Sequence, residues 1–392
     1  MDTAALKSSW EVVAKSGDEV PLFFYSHLFL AHPELRPLFP ISMSAQRDKL
    51  VGALGRIVSH VDELPEVVPF IQQLGRDHRR FSVVADHYSA VGASLLATLK
   101  YFLGAAWTDE LASSWAAAYG EIARVMVEAA EQSEETSPAW WDGEVLKTER
   151  RTMDVTLLQI RPEPAYSYLP GQSFSMEIPQ RPRLWRYFTP ANAPREDGTI
   201  DLNVQRIDGG LVSGPLIRQV KPGDVVRLGA PVGDQLTLSE DHDRDLMMVA
   251  GGTGLAPFRA VVEQLDRRWE ADGAAPKVHL FHGVGVPWNL YARDVLRQLA
   301  AARPWFEYTE VVSDDSSYPG ARGLVGSVAT ADGPWQGRTA LVCGGPQMVA
   351  HTIQTLTEAG MPAEDIRYEK FQKLDAAEMT DDGTDAGVKP ND

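Results

Sequence analysis

Leu246-Met247-Met248-Val249-Ala250-Gly251-Gly252-Thr253-Gly254-Leu255-Ala256-Pro257-Phe258 is the stretch from which the fold is read. The short apolar run Leu246–Ala250 reads as a buried strand, the glycines as a turn, and Pro257–Trp269 as a helix. A strand feeding a helix through a tight turn is half of a parallel-sheet unit. Glycines let the backbone approach a diphosphate, and a helix start offers unpaired N–H groups and the positive end of its dipole. Pro257 suits such a start. This is not the spaced G-x-G-x-x-G pattern, and alone it equally describes a plain strand-to-helix connection. A second stretch, Leu341-Val342-Cys343-Gly344-Gly345-Pro346-Gln347-Met348, repeats strand, glycines and helix. Two such turns meet at the carboxyl edge of one parallel sheet, where ligands bind. The candidate nucleotide-binding residues are therefore Gly252, Thr253, Gly254, Ala256, Pro257, Gly344, Gly345 and Pro346.

Outward from that stretch, strands are expected at Lys277–His282, Phe306–Val312, Leu341–Cys343 and Ile366–Phe371. Helices are expected at Asp294–Ala302 and Gln347–Ala359, which completes an α/β pattern. Before residue 240 the period is two. Thr152–Ile160, Ser173–Ile178, Thr199–Val204 and Asp224–Leu228 read as strands separated by Gly and Pro turns, a pattern that suggests a small antiparallel barrel. Arg186-Tyr187-Phe188-Thr189 ends a strand-like run there. Its arginine offers paired donors to a diphosphate, and its hydroxyl can reach a flavin ring nitrogen; by itself the tetrad is an ordinary surface strand. From Leu6 to about Glu135 the pattern is helical, as in Leu50, Leu54, Ile57 and Val61.

The 392 residues carry 37 Lys and Arg against 54 Asp and Glu, a net charge of −17, which disfavours nucleic acid and anionic membrane as partners. One cysteine, Cys343, excludes an intrachain disulfide, a cysteine zinc site and a cysteine-ligated iron–sulfur cluster. No apolar signal-peptide core opens the chain, and Thr339–Thr357 is broken by Gly344-Gly345-Pro346, so no membrane insertion is expected. A soluble, cytoplasmic protein, with a monomer favoured, is the expectation. The acidic tail 375–392 is expected to be disordered.

From about Glu144 to Phe371 the order of motifs resembles the ferredoxin–NADP reductase family of flavoenzymes. The resemblance rests on Pro170-Gly171-Gln172, the tetrad at Arg186–Thr189, Gly209-Gly210-Leu211-Val212-Ser213, both glycine loops and the terminal Tyr368-Glu369-Lys370-Phe371. It implies FAD held by Arg186, Tyr187, Phe188, Thr189, Gly210, Val212, Ser213, Glu369 and Phe371, with a nicotinamide nucleotide on the parallel sheet. NADH is preferred over NADPH, because Phe281–Pro287 lacks the cation that often holds a 2′-phosphate.

A lone histidine on a helix is usually structural, and that reading suits most of the nine here. His78 differs through its company, which resembles the globin domain of flavohaemoglobins. The spaced matches are Phe24-Tyr25, His32-Pro33-Glu34-Leu35, Leu38-Phe39, Gln46, Leu50, Asp77-His78, His87-Tyr88, Val91-Gly92, Trp115, Ala118-Tyr119-Gly120 and Trp141-Asp142-Gly143. The resemblance implies haem b with His78 as iron ligand and Phe39 packed on the haem. It makes Tyr25 the donor to bound O2, with Gln46 and Leu50 completing the distal wall and Tyr88 in the site. The expected architecture is multidomain. An all-α globin (1–137) and a linker (138–143) precede an antiparallel β-barrel FAD domain (144–239). An α/β parallel-sheet NAD domain (240–374) and the tail follow.

Three departures from the resemblance stand out. The glutamate expected near the end of the last globin helix is Ala130, with Glu128 and Glu131 as neighbours in a shifted register. Asp77 replaces a lysine before His78, which suggests an ion pair rewired as Asp77 with Lys370, or as Arg76, Arg79 or Arg80 with Glu369. Ser173 stands where an aromatic residue often packs the flavin. The activity implied is oxidation of NO to nitrate by haem-bound O2, with electrons from NAD(P)H through FAD. The alternatives are a haem–flavin oxidoreductase with another donor or acceptor (quinone, peroxide or small organic substrate), an O2 or gas sensor with an attached reductase, and a reductase whose helical domain holds no haem and docks a protein partner.

Overall fold

The computed structural model describes residues 2–333 and 335–369, which form two compact units: 2–140 with 182–185, and 141–181 with the described residues from 186 to 369.

The first unit is helical, with α1 (Thr3–Ala14), α2 (Glu19–Ala31), α3 (Ser44–Ser59), α4 (Leu64–His78), α5 (His87–Leu103) and α6 (Asp109–Glu134). Side-chain oxygens cap two of these starts: Asp2 accepts from Ala5 N, and Thr108 accepts from Leu111 N. One apolar cluster joins Leu6, Trp10, Phe24, Tyr25, Leu28, Leu95, Leu99 and Trp115. A second, with Ile57, Val67, Ile71, Val125 and Met126, lies between α4 and α6. There Gly75 is needed for closeness, since a Cβ on it would stand 2.2 Å from the Met126 carbonyl oxygen. His87–Ala106, which contains α5, is long and apolar enough to cross a membrane. In the structure it is a core helix that buries Leu95, Leu99 and Leu103.

The second unit begins with β1 (Trp141–Arg150), β2 (Val155–Glu163), β3 (Ser173–Glu177), β4 (Arg186–Phe188), β5 (Ile200–Gln205), α7 (Ser213–Gln219) and β6 (Val225–Val232). The strands pair antiparallel in the order β4-β3-β6-β1-β2-β5. The sheet curls closed where Pro190 bridges Leu202 and Ala191 N donates to Asp201 O at 2.7 Å.

The chain then runs β7 (Leu246–Gly251), α8 (Leu255–Asp272), β8 (Val278–Val284), α9 (Arg293–Ala302), β9 (Phe306–Val312), β10 (Ala321–Arg322), α10 (Val325–Ala331), β11 (Thr339–Cys343), α11 (Pro346–Glu358) and β12 (Ile366–Tyr368). The sheet is parallel, in the order β10-β9-β8-β7-β11-β12. Residues of α8 and α9 pack into one core with it, and those of α10 and α11 into another, so helices cover both faces. The chain winds outward from β7 to β10, then returns to the other side of β7 as β11. The order therefore reverses between β7 and β11, where an open α/β sheet leaves a crevice.

The structure corrects several sequence expectations. The linker assigned to 138–143 is shorter, because Trp141–Gly143 already belong to β1. Gly143 marks close packing within that strand: a Cβ there would lie 2.8 Å from Leu228 Cδ1. Helix α8 starts at Leu255, so Pro257 is its third residue rather than its first; the N–H that proline lacks has no partner within the helix at that position. The short elements α7, β10 and α10 were not anticipated. Strand β12 ends at Tyr368 rather than Phe371. Lys370, Phe371 and the tail lie outside the described residues.

Candidate functional site

His78 is the last residue of α4. Its Nδ1 lies 2.6 Å from the Leu74 carbonyl oxygen. A carbonyl only accepts, so Nδ1 carries the hydrogen and Nε2 keeps its lone pair. Burial pushes the imidazole pKa down, against the Leu74 bond, which favours the neutral form. A neutral, oriented imidazole with a free Nε2 fits a haem-iron ligand. Leu74 was missed in the sequence, although four-residue helical spacing makes its carbonyl the natural acceptor.

On α2, the buried Tyr25 hydroxyl donates to the Gln46 carbonyl at 3.3 Å, and burial raises its pKa. Its ring meets Phe29 at 5.8 Å and Phe39 at 5.6 Å between centroids. Phe39 and Leu50 pack on the same cluster and stay only partly buried, as the lining of an apolar cradle would. Tyr88 packs with Leu74, Ile71 and Val125 in the α4–α6 cluster, against the residue whose carbonyl orients His78. Its carbonyl accepts from the Tyr119 hydroxyl at 2.6 Å, and burial pushes its own phenol up to about 12.

In the second unit the two glycine loops touch at the β7/β11 crevice. A Cβ on Gly254 would stand 2.4 Å from the Cys343 carbonyl oxygen, and one on Gly344 would be 3.1 Å from Gly251 Cα. The N-termini of α8 and α11 follow these loops directly and bring two positive dipole ends to the same sheet edge. Gly252 and Thr253 form the turn, while Gly345 and Pro346 are exposed. The side chains of Ala256 and Pro257 are buried in the first turn of α8, where they shape the helix start. His282, also missed, braces this turn. Its Nε2–H donates to Gly252 O at 3.0 Å, and burial lowers its pKa to about 4.

On the barrel, β4 pairs Arg186, Tyr187 and Phe188 with Met176, Ser175 and Phe174 of β3. Just past β4, the Thr189 hydroxyl is 2.9 Å from Ser173 Oγ, which in turn donates to Glu369 at 3.0 Å. The Gly209–Ser213 loop is closed by Gly210 N to Ile207 O at 3.0 Å and Ile207 N to Ser213 Oγ at 3.1 Å; Val212 is buried. Beside it lies a cleft of about 250 Å³ lined by Gly209 and Gly210 with Arg181, Arg206 and Arg218. Asp208 also lines it, and Arg206 is paired with Asp154 at 3.1 Å while Arg181 donates to Leu211 O and Gln180 O, so these side chains close the loop.

Residues 22–126 match the globin model, 143–236 the oxidoreductase FAD-binding domain and 248–354 the oxidoreductase NAD-binding domain. A flavohemoprotein of Bordetella parapertussis is 30% identical over 322 residues, covering 77% of this chain and 78% of that one. The chain belongs to the flavohemoprotein family. A Bacillus subtilis flavohemoprotein is 26% identical over 395 residues, covering 93% and 95% of the two chains. A flavohemoglobin structure from Malassezia yamatoensis, described with bound FAD and heme, shares the fold with a TM-score of 0.72 at 19% identity, covering 94% and 98%.

The departures from that family can now be placed. Gly75 meets Met126, and Arg79 donates to Ser133 Oγ at 2.8 Å, so Ala130 falls on the stretch of α6 that runs alongside His78. Neither neighbouring acid substitutes for it: Glu128 is exposed and held by Arg124 at 2.6 Å, and Glu131 is exposed. Asp77 accepts from Gln73 at 3.2 Å and lies 3.7 Å from Arg80 in its own unit. Arg76 also bonds Gln73, at 2.9 Å.

Proposed function

We propose that this flavohemoprotein passes electrons from NADH through FAD to a haem on His78, where bound O2 oxidises nitric oxide to nitrate. The observation that carries this reading is the oriented, buried His78 imidazole in a globin-type helical unit that also holds an apolar cluster around Tyr25, on a chain with FAD- and NAD-binding domains. FAD, when bound, takes a hydride and releases electrons singly, and haem holds the O2. The chain's own residues bind and orient. The loops at Gly251–Gly254 and Gly344–Gly345 would hold the diphosphate of NADH, and Arg186 with the Gly209–Ser213 loop would hold that of FAD. His78 would hold the iron through Nε2, with Nδ1–H kept on the Leu74 carbonyl. Tyr25 must turn its proton from Gln46 toward O2, where a donor stabilises developing negative charge.

Tyr25→Phe is expected to speed O2 dissociation about 10- to 100-fold, the worth of one hydrogen bond to a charged group. Stopped-flow O2 release reads this, and an unchanged rate would remove Tyr25 from the site. NADH-driven NO consumption under O2 tests the activity itself. A second reading, a haem–flavin oxidoreductase or O2 binder with another task, is favoured by one observation: the hydrogen bond orienting His78 goes to a neutral carbonyl, and Ala130 supplies no carboxylate. NADH reduction of the haem without NO turnover would select it.

The NADH preference has support in the arginines beyond β8. Glu310 on β9 is buried and accepts from Arg293 and Arg297 at 2.9 and 2.8 Å, and from Tyr318 at 2.6 Å. Burial alone would raise its pKa, but these donors outweigh burial and hold the carboxyl below its usual range. Both guanidiniums are thus already engaged by one carboxylate, which offsets one of their two positive charges and fixes their donors inward. Glu310→Gln is expected to shift the preference toward NADPH about tenfold, or about 1.4 kcal/mol, in the ratio of kcat/KM values. No shift would mean that the 2′ position lies away from these arginines.

A further inference from the structure

The turn Pro170-Gly171-Gln172 sets the position of Ser173. Gly171 has φ +96°, and a Cβ on it would stand 2.3 Å from Leu236 O. The Gln172 amide accepts from Leu169 N at 2.8 Å and donates to Gly233 O at 3.1 Å. Ser173 therefore enters β3 on a pinned backbone, with 7% of its surface exposed. Its Oγ meets Glu369 Oε1 at 3.0 Å and Thr189 Oγ1 at 2.9 Å, joining residues 16 and 196 positions away.

A hydroxyl has one proton, and a carboxylate only accepts. The Ser173 proton goes to Glu369. The Ser173–Thr189 bond must then be made with the Thr189 proton. Thr189 is left with lone pairs alone for any other neighbour. In the FAD reading, on which this inference rests, Thr189 is the hydroxyl next to a flavin ring nitrogen. Reduced flavin carries N–H at N5, and oxidised flavin carries only a lone pair there. An acceptor at that place binds the reduced form and offers nothing to the oxidised one.

We propose that Ser173 is a positioning residue that fixes the Thr189 hydroxyl as a hydrogen-bond acceptor, and so favours reduced over oxidised FAD in this chain.

The test is spectroelectrochemical titration of the FAD-loaded full chain. Ser173→Ala frees the Thr189 proton to donate to oxidised flavin. The oxidised-to-reduced ratio at fixed potential is expected to rise about tenfold, which is about 30 mV lower for a two-electron couple. Ser173→Thr is expected to restore the parent potential. In a Thr189→Val background, Ser173→Ala is expected to change nothing. An unchanged potential in Ser173→Ala, or a shift that survives in the Thr189→Val background, overturns the proposal; the latter would mean that Ser173 acts through the Glu369 charge alone. Should Ser173→Ala fold poorly, Ser173→Cys, with its weak donor, reads the same direction. Failure of the parent chain to bind FAD would instead defeat the FAD reading itself, a separate and directly visible outcome.

Discussion

His78→Ala is expected to strip the haem and leave the reductase running. The imidazole is the only iron ligand proposed from the protein, and its ring is aimed by the 2.6 Å bond to Leu74. Removing it deletes the metal bond and leaves a cavity the size of an imidazole at the end of α4. Haem content, read from the Soret band of haem-supplied protein, should fall to about a tenth or less, given that an orienting partner alone changes metal affinity 10- to 100-fold. NADH should no longer produce a ferrous–CO spectrum. NADH oxidation with a soluble acceptor such as ferricyanide should stay within about twofold, because the mutation lies in the other compact unit. Added imidazole should restore part of the Soret band by filling the cavity. Full haem content in His78→Ala would move the iron ligand to another residue and end the role of His78.

Gly254→Val is the second large effect, and it acts in the opposite half. The glycine is not needed for its backbone angle, since φ at Gly254 is −58°. It is needed for space: its Cβ would stand 2.4 Å from Cys343 O and 2.7 Å from Gly344 N, both backbone atoms. Such atoms cannot turn aside as a side chain can, so the two loops must separate. Overpacking of this kind costs about 1–3 kcal/mol, and loss of loop registry adds the diphosphate contacts of one helix N-terminus. NADH reduction of the flavin should slow about 100-fold, while FAD and haem contents hold. Stopped-flow reduction under anaerobic conditions reads the rate. A rate within threefold of the parent would show that the crevice between β7 and β11 is not where the nucleotide sits.

The sequence by itself determined most of the architecture. A helical period to residue 135, a period of two to about 230, and strand–helix alternation beyond are local patterns, and local patterns survive in a linear reading. The two glycine loops were legible for the same reason, because strand, turn and helix are contiguous. His78 and Tyr25 were legible through the family resemblance of their spacing, not through any contact. Strand β1 was missed because only Gly143 and Val145 are buried in Trp141–Arg150, so no apolar alternation marks it. The remaining features join residues far apart along the chain and form only on folding. Gly75 was one glycine among 32 until it met Met126. Glu310 was an ordinary strand acid until α9 laid Arg293 and Arg297 over it. Ser173 was only a missing aromatic until folding brought Thr189 and Glu369 within 3.0 Å of its hydroxyl. A hydrogen bond requires partners within about 3 Å, and no periodicity records which distant residues will supply them.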